Sequence, residues 1–339
     1  MCGENMRKEE LMSYLAGIID GDGSFSILRK QEKKDLSPSY YPCIQFSKSS
    51  NILPKLLHDN FGGRLSCVDR KEKSVLEYKW RLERSEKCRP FLEEISPYLH
   101  IKQEQAFELI RFIEDNPFKR GIRVTKEDIS CRENARTRVM NLNARRDTKS
   151  KLNNSVNFSY KSGLFWSYLS GLLDTDGSFS IKKERRGIYS PMVLLSLINS
   201  KAINFIKNNC SVGSFFVVKA PQLLQKFYYR FGVYNRDEVV VLLDQVIPYL
   251  LHKKNSAEIL RDFCNGYVSQ GGRYLKTKEQ DDFRENCYQS LVKSNGVYKS
   301  HLIDLELLPG DAGDNRAEAA EACTVNVVSD ETPEGDAVL

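Results

Sequence analysis

Two acids of this chain lie in phrases that are almost the same. Asp22 falls within SYLAGIIDGDGSFSI, which starts at Ser13, and Asp176 within SYLSGLLDTDGSFSI, which starts at Ser167. Each is preceded two positions earlier by another acid, Asp20 or Asp174, and followed by a glycine, Gly23 or Gly177. Carboxylates held together without a cationic neighbour in sequence are electrostatically costly, and a shared proton or a divalent cation relieves them. Mg2+ suits two acids, backbone carbonyls, waters and phosphate oxygens, because it favours octahedral oxygen ligation and keeps water. Such ions stabilise the attacking and leaving oxygens of an in-line displacement at phosphorus. A lone DxDG turn is also a helix cap or the start of a calcium loop. The calcium reading fails here, since Phe25 and Phe179 stand at the sixth loop position, which requires glycine.

Other chemistries find no support. The four histidines show no metal spacing, and there is no Ser/His/Asp constellation or phosphate-cradling glycine loop. The nine cysteines are odd in number and never spaced CxxC, which points to a reducing intracellular compartment, organellar or bacterial, without a disulfide framework. No apolar run approaches a membrane span. The net charge of +6 is uneven: from Ile303 onward ten acids meet one base, Arg316, leaving +15 on the rest. A basic body with an acidic, poorly patterned end predicts a polyanion-binding body and a disordered tail.

The elements that position the acids are themselves repeated. PYLHIK at Pro97 returns as PYLLHK at Pro248, and TKEDISCREN at Thr125 as TKEQDDFREN at Thr277. Three landmarks in constant order and near-constant spacing mark a duplicated domain rather than a solenoid. Each copy reads α-β-β-α-β-β-α: a helix ending in the acids, two strands, a helix, two strands, and a closing helix near Lys102 or Lys253. Additional helices are predicted near 125–143 and 277–295. The boundaries are an N-terminal extension 1–10, a first domain 11–120, a helix and linker 121–162, a second domain 163–302 and the tail 303–339. Ser13 with Gly17, and Ser167 with Gly171, put small residues four apart on one helix face, which lets two backbones approach closely. One such helix from each half crossing at the centre would bring Asp22 beside Asp176.

LAGIIDGDG (Leu15 to Gly23) and LSGLLDTDG (Leu169 to Gly177) resemble the paired signature of the LAGLIDADG homing endonucleases, in the double-motif, single-chain form. The resemblance runs over roughly residues 11–302. It implies an α+β fold of two pseudo-symmetric αββαββα domains, with antiparallel sheets forming a DNA-binding saddle around a central two-helix interface. It also implies a monomer that makes a metal-dependent double-strand break at one long DNA target, with Mg2+ as cofactor and Mn2+ as a substitute. The metal-binding acids map onto Asp22 and Asp176, with the carbonyls of Gly21 and Thr175 assisting. The inner acids, Asp20 and Asp174, map to turn-stabilising positions. A basic catalytic position maps onto Lys102 and Lys253. A third polar position maps onto Asn199 in the second copy and falls at Ser49 in the first, where Lys48 competes.

Strand alternation sets the expected reading surface. In the first copy Ser24, Ser26, Leu28 and Lys30 face outward, with Arg64, Ser66 and Arg70, and with Lys79 and Arg81. In the second copy the outward set is Ser178, Ser180, Lys182 and Glu184, with Tyr228 and Arg230. Tyr78, Trp80 and Leu82, and likewise Phe227, Tyr229 and Phe231, face the core. A β-ribbon fits the major groove, where Arg and Lys read guanine and Gln or Asn reads adenine. Strands of about 8 residues in each half imply a double-stranded DNA site of about 20 base pairs. The alternative is an intron RNA maturase on the same fold, alone or with cleavage activity, and retention of both acids favours the nuclease. A non-catalytic regulator would carry eroded acids and an added DNA-binding module, and neither is present.

Overall fold

Each half begins with a helix that is apolar on every side, the signature of burial. These are α1 (Lys8–Asp22) and α6 (Ser162–Asp176), and Tyr14, Leu15, Ile18, Ile19, Tyr168, Leu169, Leu172 and Leu173 are all fully buried. They cross at Gly17 and Gly171. A Cβ on Gly17 would stand 2.2 Å from the Tyr168 carbonyl oxygen, and one on Gly171 would stand 2.2 Å from that of Tyr14. Only glycine permits this approach. The Ser13 hydroxyl adds a hydrogen bond to the Leu164 carbonyl at 2.7 Å.

The computed structural model describes residues 6–31, 37–70, 75–117, 124–144, 162–184, 187–219, 227–266 and 277–297. After α1 come β1 (Gly23–Lys30), β2 (Ser39–Lys48), α2 (Ile52–Phe61), β3 (Arg64–Arg70), β4 (Val75–Glu83), α3 (Ser85–Ile95) and α4 (Gln103–Asp115), followed by the extra helix α5 (Lys126–Ala144). After α6 come β5 (Gly177–Glu184), β6 (Ile188–Leu197), α7 (Ser200–Asn209), β7 (Ser214–Lys219), β8 (Phe227–Val233), α8 (Arg236–Val246) and α9 (Lys254–Gly266), then the extra helix α10 (Lys278–Val297). Each half forms one antiparallel four-stranded sheet, ordered β1-β2-β4-β3 and β5-β6-β8-β7. The architecture is α+β and duplicated, as expected, and the two halves pack as a single unit. The acidic tail and most of the linker lie outside the described residues. None of the described helices is long and apolar enough to cross a membrane, and the seven described cysteines are free.

Register gives an unambiguous correspondence between halves. Gly23 pairs with Phe46 and Gly177 with Leu195, so Gln45 matches Leu194 and Lys48 matches Leu197. Gln45 pairs with Arg81, and Leu194 with Gly232, which makes Arg81 the counterpart of Gly232 and Lys79 that of Arg230. Phe25, Ile27, Trp80, Leu82, Tyr229 and Phe231 fill the core beneath the sheets. Tyr78, placed in the core by alternation, is only half-buried, opposite Lys48 at the end of β2. The extra helices clamp the motif strands in the same way: Asn143 Nδ2 donates to the Phe25 carbonyl at 2.9 Å, and Asn295 Nδ2 to that of Phe179 at 3.0 Å.

Candidate active site

Asp20 and Asp174 do the same structural work. Asp20 accepts the backbone N–H groups of His100, Ile101 and Lys102 at 2.7–2.9 Å, and the Tyr168 hydroxyl at 2.8 Å from the opposite helix. Asp174 accepts those of Leu251, His252 and Lys253 at 2.7–3.1 Å, and the Tyr14 hydroxyl at 2.6 Å. Each carboxylate thereby satisfies the backbone donors of the turn that leads into α4 or α9 and, through the tyrosine, ties the two halves together. Complete burial pushes the Asp174 carboxyl up, against the opposing pull of these donors.

Lys102 and Lys253 emerge from the same loops and turn back under the motif helices. Lys102 Nζ donates to the carbonyls of Ile19, Asp20 and Gly21 at 2.8–3.0 Å. Lys253 Nζ donates to those of Leu173, Thr175 and Gly177 at 2.7–3.0 Å. An ammonium has three donors, so all are committed. Each lysine caps the negative end of its helix, directly beneath an outer acid. Burial lowers both, Lys253 to about 8, while the nearby aspartates oppose the shift.

The outer acids differ in their surroundings. Asp22 forms an ion pair with Lys48 Nζ, which also donates to the Thr175 carbonyl at 2.9 Å, so one ammonium joins the ends of both helices. Asp176 opens into a cleft whose walls include Gly21 and Lys102 on one side and Asn199 and Lys201 on the other. Its carboxyl is pushed up, first by the surrounding protein and then by the like charge of Asp22, against Lys48, Lys253 and Lys102. The crossing thus brings the two acids close enough to feel each other. The two outer carboxylates lie among the ammonium groups of Lys48, Lys102 and Lys253, with the inner carboxylates Asp20 and Asp174 behind them.

At the third position, Lys48 is the residue that reaches Asp22. It shares the core-side parity of Phe46, so its chain runs beneath the sheet edge toward α1, whereas Ser49 lies past the end of β2. Asn199 lines the cleft with Asp176 but uses its side chain to cap α7, accepting Lys201 N–H at 2.8 Å. Its register counterpart is Ser50, whose hydroxyl accepts Ile52 N–H at 3.4 Å.

The remaining predicted positions spread over the outward sheet faces. Ser24, Ser26, Leu28 and Lys30 line β1, opposite the core residues Phe25 and Ile27, and Ser178, Ser180, Lys182 and Glu184 line β5 opposite Phe179 and Ile181. Arg64 pairs with Arg81, and Ser66 with Lys79. Tyr228 and Arg230 share the outward face of β8, with the guanidinium 5.5 Å from the ring centroid. Lys182 and Glu184 form an ion pair at 3.1 Å. The side chain of Arg70 lies outside the described residues. Gln45 was not singled out by sequence reasoning, although strand parity points to it; its Oε1 accepts from Arg81 Nη2 at 3.2 Å. Asn143 and Asn295 were also passed over, although both sit in the extra helices that the repeat itself marks.

Comparison with known proteins settles the architecture. No protein-family model matches the chain, and no curated protein does. Among solved structures, it is similar to the LAGLIDADG homing endonuclease I-GzeII in complex with its DNA target, at TM-score 0.58 and 14% identity over 81% of this chain and 97% of that one. The fold is that of the LAGLIDADG homing endonucleases. I-LtrWI bound to target DNA gives TM-score 0.56 at 14% identity, covering 86% of this chain and 98% of that one. The meganuclease I-SmaMI bound to uncleaveable DNA gives 0.52 at 16%, covering 83% and 98%.

Proposed function

We propose that this chain is a site-specific, metal-dependent DNA endonuclease. It binds as a monomer to a double-stranded target of about 20 base pairs and breaks both strands. One observation carries the reading: two motif helices touch through Gly17 and Gly171 and bring Asp22 and Asp176 together among three lysines, with an outward-facing sheet in each half. Lysines set among the acids favour an approaching phosphate, and a divalent cation shared between Asp22 and Asp176 relieves their mutual repulsion. The structurally similar I-GzeII and I-LtrWI, described as complexes with target DNA, agree with this partner.

The donor set fits a hard divalent ion. Among the described residues no group of three or more His, Cys, Asp or Glu side chains is placed to hold a metal ion, so an ion at Asp22 and Asp176 would take its remaining ligands from water and DNA phosphate. Asp22 and Asp176 would hold Mg2+ or Mn2+, with the Gly21 and Thr175 carbonyls at hand. A metal bound there supplies stabilisation of the attacking and leaving oxygens. The chain does the rest. Lys102 and Lys253 fix the helix ends that present the acids and lay positive charge beneath the phosphates. Lys48 holds Asp22 against the second helix.

The test is a randomised duplex library incubated with the protein and Mg2+, with sequencing of cut ends. The reading expects paired breaks at one long, non-palindromic sequence. Binding without breaks, together with splicing of a cognate intron RNA, would favour the maturase.

A further inference from the structure

The two outward sheet faces are chemically unlike at matched positions. In the first half one row across the sheet reads Ser24, Gln45, Arg81 and Arg64. The matched row in the second half reads Ser178, Leu194, Gly232 and Ser214. One row along, Ser47, Lys79 and Ser66 become Ser196, Arg230 and Phe216; on the other side Cys43 becomes Met192. Position 232 is glycine for a reason the geometry supplies: a Cβ there would lie 2.6 Å from the Tyr234 hydroxyl oxygen. The Tyr234 ring therefore occupies the space where Arg81 projects in the first half. It packs edge-on against Phe216, centroids 6.4 Å apart, and both rings are exposed at 44%. Leu194 and Met192 border them, half-buried. Of the cationic groups on this face, Arg230 stands opposite Phe216 and leans over the Tyr228 ring, and Lys182 lies toward the end of β5, paired with Glu184.

Resting on the endonuclease reading, we infer that the second sheet reads its half-site through thymine methyl groups, whereas the first reads guanine and adenine by hydrogen bonds. The one methyl group on the major-groove edge of unmodified DNA is the C5-methyl of thymine, set among hydrogen-bond donors and acceptors. An apolar platform of Phe216, Tyr234, Leu194 and Met192 gains by covering methyls. It penalises G·C pairs, whose polar edges it desolvates without replacing their hydrogen bonds. In the first half Arg81 is oriented by Gln45 at 3.2 Å, a pair suited to adjacent purines. The platform's Leu194 row runs through Ser178, two residues after Asp176, so the thymines belong to the part of that half-site near the cut.

The experiment uses the full chain and the target selected from the library. Arg81→Ala identifies the first half-site by relaxing selection there. Thymines are then replaced by uracil, which removes the methyl alone, in one half-site at a time, and affinity is measured without cleavage. The expected loss is about fourfold per thymine near the cut in the second half-site, and less than about twofold in the first. Phe216→Ser, at an exposed position, should erase most of the uracil sensitivity while leaving thermal stability unchanged. Equal uracil effects in both halves, or none, overturn the inference. So does a dimer that Phe216→Ser converts to monomer, which would make the platform a self-association surface. Failure to bind any duplex overturns the endonuclease reading itself, a separate result.

Discussion

Asp20 and Asp174 each accept three backbone N–H groups and one tyrosine hydroxyl from matched positions, whereas Lys48 has Leu197 as its counterpart. The two halves agree at the polar groups and glycines that fix the motif helices and diverge at several positions that face outward. Burial imposes one set of requirements on both copies: cap the helix starts, cap the helix ends, and let the backbones touch. The outward faces and the third site position carry no such requirement, and Gln45, Arg81 and Lys48 became Leu194, Gly232 and Leu197. Duplicated scaffold with unduplicated surface is what a protein reading a non-palindromic sequence needs.

The comparison can be broken most forcefully at the inner acids. Asp20→Ala and Asp174→Ala each strand three backbone donors and a tyrosine hydroxyl. Each is expected to cost about 4 kcal/mol in denaturant unfolding, equally for both. A large difference between them would show that the halves are not equivalent inside. Gly17→Ala and Gly171→Ala come next, at about 3 kcal/mol each, because the colliding atoms are backbone carbonyls.

Histidine sharpens the picture. The phrases PYLHIK and PYLLHK place it at adjacent rather than equivalent positions, His100 and His252, yet both are pushed down by burial, to about 4 and about 3. A folded-state value below the unfolded one means that the unfolded chain takes up the proton first, so stability falls as pH drops below about 6.5. Each should remove about 2 kcal/mol at pH 5, while the raised Asp174 and Asp176 act in the opposite sense. His100→Gln and His252→Gln should each flatten the fall between pH 7 and pH 5. The smallest effect is the most asymmetric. Lys48→Met should slow cleavage about tenfold by freeing Asp22, and Leu197→Met should leave the rate unchanged. Equal slowing would remove the distinction between the two sides of the site.

Much of this was legible in the sequence because duplication exposes what the interior holds constant. The paired phrase marked the helix crossing, and strand alternation marked the outward residues from Ser24 to Lys30 and Ser178 to Glu184. Strand register was not legible, because alternation gives parity but no partner. Direct comparison by order sets Lys79 and Arg81 against Tyr228 and Arg230; pairing sets them against Arg230 and Gly232. Lys48, which the sequence set beside Ser49 at the third position, reaches Asp22 for a related reason: a long side chain on the core-side parity can pass beneath a sheet edge. The commitment of Lys102 and Lys253 to three carbonyls each could not be read from spacing, since it depends on how the loop folds back under the helix end.

The central claim is that Asp22 and Asp176 form one cleavage site. The most direct measurement is strand-resolved cleavage of the selected target in Mg2+ by Asp22→Asn and Asp176→Asn, with affinity measured alongside. Each substitution is isosteric and removes one charge. The account predicts that either one lowers double-strand cleavage by about 1000-fold with affinity nearly unchanged. Undiminished double-strand cleavage by either variant would contradict it.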